Sequence, residues 1–141
     1  MKNEKSPAWC LGVLVVQSNL KHTKSVHNGR RMYQVHVDEA LLGEVVRRLV
    51  EAIDPDKIIL FGSRARGDPR PDSDLDLLIV RESAEKPHRR AIPAYEALSG
   101  LGVPKDILWY TPHEVEDWSA VKYHVATRAV KEGRILYEKQ P

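Results

Sequence analysis

The sequence predicts an α/β domain of the two-layer α+β kind, one mixed sheet flanked by helices. Two observations carry this expectation. Short apolar runs of strand type recur at 57–61, 74–80, 105–110 and 134–137, and stretches with apolar residues at helical spacing lie before, between and after them. The order is helix, strand, short helix, strand, helix, strand, helix, strand, with no repeat, linker or low-complexity tract between 38 and 138.

The elements read in order as follows. Leu42, Val45, Val46, Leu49, Val50 and Ile53 recur at helical spacing, Asp38 is placed to cap the start, and Asp54-Pro55 ends the run. Lys57 to Phe61 is a strand that stops at Gly62-Ser63. Arg64 to Gly67 opens a short helix, and Asp68, Pro69, Pro71 and Ser73 make a loop leading into strand 74–80. Polar residues 81–90 lead to a weak helix ending near Ser99, followed by strand 105–110. Trp118, Val121, Val125, Ala126, Ala129 and Val130 predict a second amphipathic helix, stopped by Gly133 before strand 134–137.

Length and composition bound the class. A chain of 141 residues, 42% hydrophobic and 30% charged, is one small globular domain rather than a disordered segment. Charge is uneven: residues 1–31 carry six Lys/Arg against Glu4, a net of +5, so the remainder holds −3 of the total +2. The basic balance therefore belongs to the N-terminal segment, and the rest gives no strong nucleic-acid signal. One cysteine, Cys10, cannot form an internal disulfide, which fits a reducing cytoplasm. The run Ala8 to Val16 has the outline of a signal peptide but lacks a small-x-small cleavage site and is too short to span a bilayer, so neither export nor a membrane is expected. Residues 1–31 are read as an N-terminal extension, disordered, an added strand, or not native with Met32 as the natural start; residues 32–141 form the domain.

The chemistry concentrates in 61–80. Gly62-Ser63 ends one strand with a small residue that lets backbone N–H groups approach an anion and a hydroxyl that adds a hydrogen bond. Asp74-Leu75-Asp76 opens the next strand, and the period of two puts both carboxylates on one face. Paired carboxylates repel unless a cation sits between them, and Mg²⁺ favours a few carboxylates plus phosphate oxygens, so the pattern makes sense as a metal–triphosphate cradle. His36, His88, His113 and His124 show no metal-ligand spacing.

Gly62-Ser63, ten residues, then Asp74-x-Asp76 between two strand-like runs resembles the signature of the polymerase-beta-like nucleotidyltransferases, and the short chain is similar to their minimal form. The resemblance covers about residues 38 to 138, taking in Asp106 at the head of 105–110, Thr111 to Glu114 in the turn position, and Glu132 to Glu138 as the last strand. It implies two Mg²⁺ ions and ATP as substrate. Asp74 and Asp76 match the ligands bridging both ions, Asp106 the nucleophile-side ligand and proton acceptor, and Gly62 and Ser63 the contacts to the leaving phosphates. Arg64 and Arg66 either grip triphosphate oxygens or solvate the short helix.

Minimal members often partner a small helical HEPN protein, so the resemblance implies a hetero-oligomer in a toxin–antitoxin pair, with AMP moved from ATP to a partner hydroxyl, most naturally a tyrosine. The alternatives are an aminoglycoside-type small-molecule nucleotidyltransferase and a non-catalytic subunit that neutralises its partner by contact. Trp109, Tyr110, Trp118 and Tyr123 are read as core or partner-facing aromatics, of which one could floor the nucleotide pocket.

Overall fold

The computed structural model describes residues 22–27, 30–70 and 72–141. The apolar run Leu11 to Val16, and most of the extension 1–31, lie outside the described residues. Two strands precede the domain proper. β1 (His22–His27) pairs antiparallel with β2 (Arg30–Val35) as a separate two-stranded sheet, in which Met32 stands opposite Ser25.

Helix α1 (Glu39–Ile53) begins where the sequence places it. The Asp38 carboxylate accepts the Leu41 N–H at 2.9 Å, and Glu39 puts negative charge in the first turn, where free amide groups favour it. The helix ends at Asp54, whose left-handed φ of 40° lets its N–H return to the Val50 carbonyl. Its apolar stripe, Leu41, Leu42, Val45, Leu49 and Ile53, is buried.

The main sheet has the order β5-β4-β3-β6, from β3 (Lys57–Phe61), β4 (Leu75–Val80), β5 (Lys105–Tyr110) and β6 (Arg134–Glu138). β3 runs antiparallel to β4 and β6, and β4 runs parallel to β5. This mixed pairing brings the end of β3 and the starts of β4 and β5 to one edge of the sheet. The register then sets Phe61, Asp76 and Asp106 in a single row across three strands.

Alternation sorts the side chains onto two faces. Ile58, Leu60, Leu75, Leu77, Ile79, Ile107 and Trp109 pack with α1 and with Ala94 and Leu98, forming the larger core. The opposite face carries Ile59, Leu78 and Val80 against Ala129, with Phe61, Leu108, Tyr110 and Val115 around them. The row of Asp76 and Asp106 belongs to this thinly covered face.

The connections hold two departures from expectation. The weak helix before β5 divides into α3 (Pro87–Arg90) and α4 (Ile92–Ala97), because Pro93 lacks the N–H needed to continue from the preceding turn. The single helix expected over 118–130 is two, α5 (Pro112–Trp118) and α6 (Val125–Glu132). Thr111 and Glu114 form a capping box that starts α5, so a stretch expected to be a turn is a helix start. The Trp118 carbonyl is taken by the Val121 N–H and the Thr127 hydroxyl, which ends α5, and His124 Nδ1 accepts the Ala126 N–H to start α6. Apolar spacing ran through the break because both helices address the same sheet face. After α6, Gly133 lets the chain turn into β6, since a Cβ there would overlap the Ala129 carbonyl and the Ile59 side chain.

Between β3 and β4 lies the one-turn helix α2 (Gly62–Arg66), closed by Gly67 with φ 81°. Among the described residues, no helix is long and apolar enough to cross a membrane.

Leu49 is fully buried where α1 meets the sheet. Leu49→Ala is expected to lower unfolding free energy by about 3 kcal/mol through lost transfer and a residual cavity. Urea unfolding checks this, with a small shift in midpoint indicating that α1 is not docked as described.

Candidate active site

The site starts from a backbone requirement. The residue after β3 must lack a side chain, because Gly62 has φ 72° and a Cβ added there would overlap the Asp76 carboxylate. Gly62 therefore leaves the space that Asp76 fills. Ser63 follows in the first turn of α2, half-buried, and its carbonyl accepts the Gly67 and Asp68 N–H groups to close the turn.

Asp74 stands exposed one residue before β4, Asp76 is half-buried within it, and Asp106 is exposed on the neighbouring strand directly beside Asp76. Burial is the largest influence on Asp76 and raises its pKa; the nearby charges of Asp106 and then Asp74 raise it further, while Arg64 and Arg66 oppose. The mutual influence means the three acids share one field. They do not converge as a preassembled ligand cage: among the described residues, no three His, Cys, Asp or Glu side chains are grouped closely enough to hold a metal ion. The donor set still fits a hard divalent cation. It offers carboxylate oxygens from adjacent strands, with one acid seated in a cradle that only glycine leaves open.

The two arginines separate in role. Arg64 Nε donates to the Ser73 carbonyl at 3.1 Å and to the Asp74 carbonyl at 3.2 Å, binding α2 to the loop that delivers Asp74. Arg66 is exposed and sits 3.5 Å from Asp68.

The aromatic residues divide as well. Trp109 belongs to the core, 9% exposed with Nε1 donating to the Arg81 carbonyl, so it does not face a partner. Tyr110 is half-buried and meets His124 edge-on, and His124 in turn stacks on Trp118 at 4.1 Å between centroids. Tyr123 is 84% exposed. Sequence reasoning missed Tyr95, whose hydroxyl accepts the Ile107 N–H at 3.0 Å and lies 3.5 Å from Asp106 Oδ1. No spacing rule links a tyrosine on one helix to an acid eleven residues later on a strand.

Comparison with known proteins agrees with this geometry. The profile of the nucleotidyltransferase domain family matches residues 41–136, a span that contains Gly62, Ser63 and all three acids. A Sulfolobus solfataricus protein assigned as a nucleotidyltransferase superposes with a TM-score of 0.52 at 21% identity, over 71% of this chain and 79% of that one. A toxin–antitoxin structure with AMP-PNP gives 0.53 at 20% identity, over 70% of this chain and 74% of that one. A mutant MntA-HpeT toxin–antitoxin gives 0.50 at 17% identity over the same shares. At these identities the likeness establishes the fold. No curated protein matches the sequence.

Because Asp76 binds its proton more tightly in the folded chain, its ionisation works against folding once the pH exceeds its raised pKa. That cost is absent below the ordinary value of 3.8 and complete at neutral pH. In chelator, Asp76→Asn should therefore melt higher than the unmodified protein at pH 7, with the gap closing as pH falls toward 3.8. Equal melting temperatures at pH 7 would mean that the acids do not strain one another.

Proposed function

This chain belongs to the nucleotidyltransferase domain family, and from that premise we propose that it moves AMP from ATP to a hydroxyl, most naturally a tyrosine, on a small helical HEPN-type partner. The observation that carries this reading is the grouping at one end of the sheet: Asp76 of β4 against Gly62, Asp106 of β5 beside it and Asp74 two residues before it. In this proposal Asp74, Asp76 and Asp106 hold two Mg²⁺ ions. Bound there, the metal supplies charge neutralisation at the phosphates and a lowered pKa for the acceptor hydroxyl.

The chain's own residues do the rest. Ser63 and the Gly62 backbone meet the leaving phosphates, where the open turn admits an oxygen that a side chain would exclude. Arg64 fixes the loop that carries Asp74, so that acid stays beside the reacting centre. Asp106, exposed on β5, takes the proton of the acceptor hydroxyl as that hydroxyl's oxygen bonds to the α-phosphorus and the bond to the β-phosphate oxygen breaks, releasing pyrophosphate.

Two observations support a protein acceptor. Two solved structures of similar fold are toxin–antitoxin structures, one of them with AMP-PNP. Trp118, Val121, Tyr123, Val125 and Val130 are exposed along the α5–α6 segment, an apolar and aromatic strip of the kind enriched at interfaces. With a cytoplasmic setting supplying ATP, the activity is that of an antitoxin that modifies its partner.

Mg²⁺ with ATP should raise the melting temperature of the wild-type chain and leave Asp76→Ala unmoved, because that variant loses the central metal ligand. Co-expression with the neighbouring gene product should yield a co-eluting complex whose partner gains the mass of one AMP group, and Asp74→Ala/Asp76→Ala should abolish the gain. A gain that survives the double substitution would refute the assignment. ATP turnover by the isolated chain with an aminoglycoside acceptor would instead favour small-molecule transfer.

A further inference from the structure

A groove of about 180 Å³ opens between α2 and α6, next to the acids. Apolar Phe61 and Ala129 line it together with Gly62, Arg66, Arg128 and Glu132. Gly62 is common to both features, since it borders the groove and cradles the Asp76 carboxylate. The groove is therefore continuous with the reacting centre.

The groove walls carry two guanidinium groups against one carboxylate. Both cations are weakly held. Arg128 Nη2 lies 3.8 Å from Glu132, with both side chains more than half exposed, and Arg66 Nε lies 3.5 Å from the exposed Asp68. Contacts of that length in water contribute little, whereas guanidinium–phosphate pairs close to about 2.8 Å and are frequently bidentate. A polyphosphate entering the groove would displace both carboxylates at small cost.

We propose that α6 completes the nucleotide site: Arg128 is a triphosphate-binding residue that grips the β- and γ-phosphates from the side opposite Ser63, and Glu132 competes with them for its guanidinium. The proposal rests on the nucleotide reading above and adds a residue that lies outside the Gly-Ser and Asp-x-Asp signature. It makes affinity for the leaving-group end of the nucleotide depend on a helix that begins at Val125, 63 residues after that signature's start at Gly62. The competing carboxylate gives the two residues opposite effects. Removing Arg128 weakens polyphosphate binding, and neutralising Glu132 strengthens it.

Titration calorimetry of the full chain in Mg²⁺ buffer, with ATP, tripolyphosphate and AMP as probes, tests this. Both positions are largely exposed, so Arg128→Gln and Glu132→Gln leave the core intact. Arg128→Gln should weaken ATP and tripolyphosphate about tenfold and leave AMP within about twofold, as loss of one charge-assisted contact predicts. Glu132→Gln should tighten tripolyphosphate. If Arg128→Gln leaves tripolyphosphate unchanged, or weakens AMP as much as ATP, the groove does not seat phosphates and the inference falls while the nucleotide reading stands. If the wild-type chain binds neither ATP nor tripolyphosphate, the nucleotide reading falls with it.

Discussion

The contact between the backbone of Gly62 and the carboxylate of Asp76 is the constraint on which the rest of this structure depends. It requires a residue with positive φ directly after β3, and it brings a half-buried acid against the first residue of α2. The antiparallel register of β3 on β4 and the parallel register of β4 on β5 extend that contact into a row, so Asp106 falls beside Asp76 with no further device. A row of acids at a sheet edge is a poor way to stabilise a fold. Burial and neighbouring charge both push Asp76 toward its protonated form, and the chain tolerates this where a bound cation would reverse the sign of the interaction.

The remaining architecture divides into parts that hold this edge still and parts that leave it open. The larger core, in which α1 and α4 cover one face, fixes the strands that carry the acids. Arg64 ties α2 to the loop before β4 through two carbonyls, so the segment that could most easily wander is secured from the helix that follows the glycine. On the other face the helices are short. A groove lined from α2 and α6 opens beside Gly62 on this face.

Much of this was legible in the residues and some of it was not. Strand 57–61, the cap at Asp38, the stop at Asp54-Pro55 and the shared face of Asp74 and Asp76 follow from local rules, since alternation, capping and turn chemistry act within a few residues, whereas Asp106 joins them only through the β4–β5 register. The α5–α6 break was hidden because apolar spacing reports which face is buried, not whether the helix is continuous, and a histidine cap carries little signal. Trp109 was open between core and surface because an aromatic on a strand is read only by the face it lands on, which the register decides. Arg64 and Tyr95 act through contacts outside their immediate sequence neighbourhood, and nothing in that neighbourhood specifies a carbonyl or a strand amide as the partner.

The central claim is that three mutually repelling carboxylates form a metal cradle for a nucleotide. Crystals grown with Mn²⁺ and a non-hydrolysable ATP analogue test it most directly, because manganese reports its own position by anomalous scattering. The account predicts anomalous peaks bounded by Asp74, Asp76 and Asp106, with the phosphates beside Gly62 and Ser63. Manganese bound elsewhere, or nucleotide bound with the three acids still apart and metal-free, would contradict it.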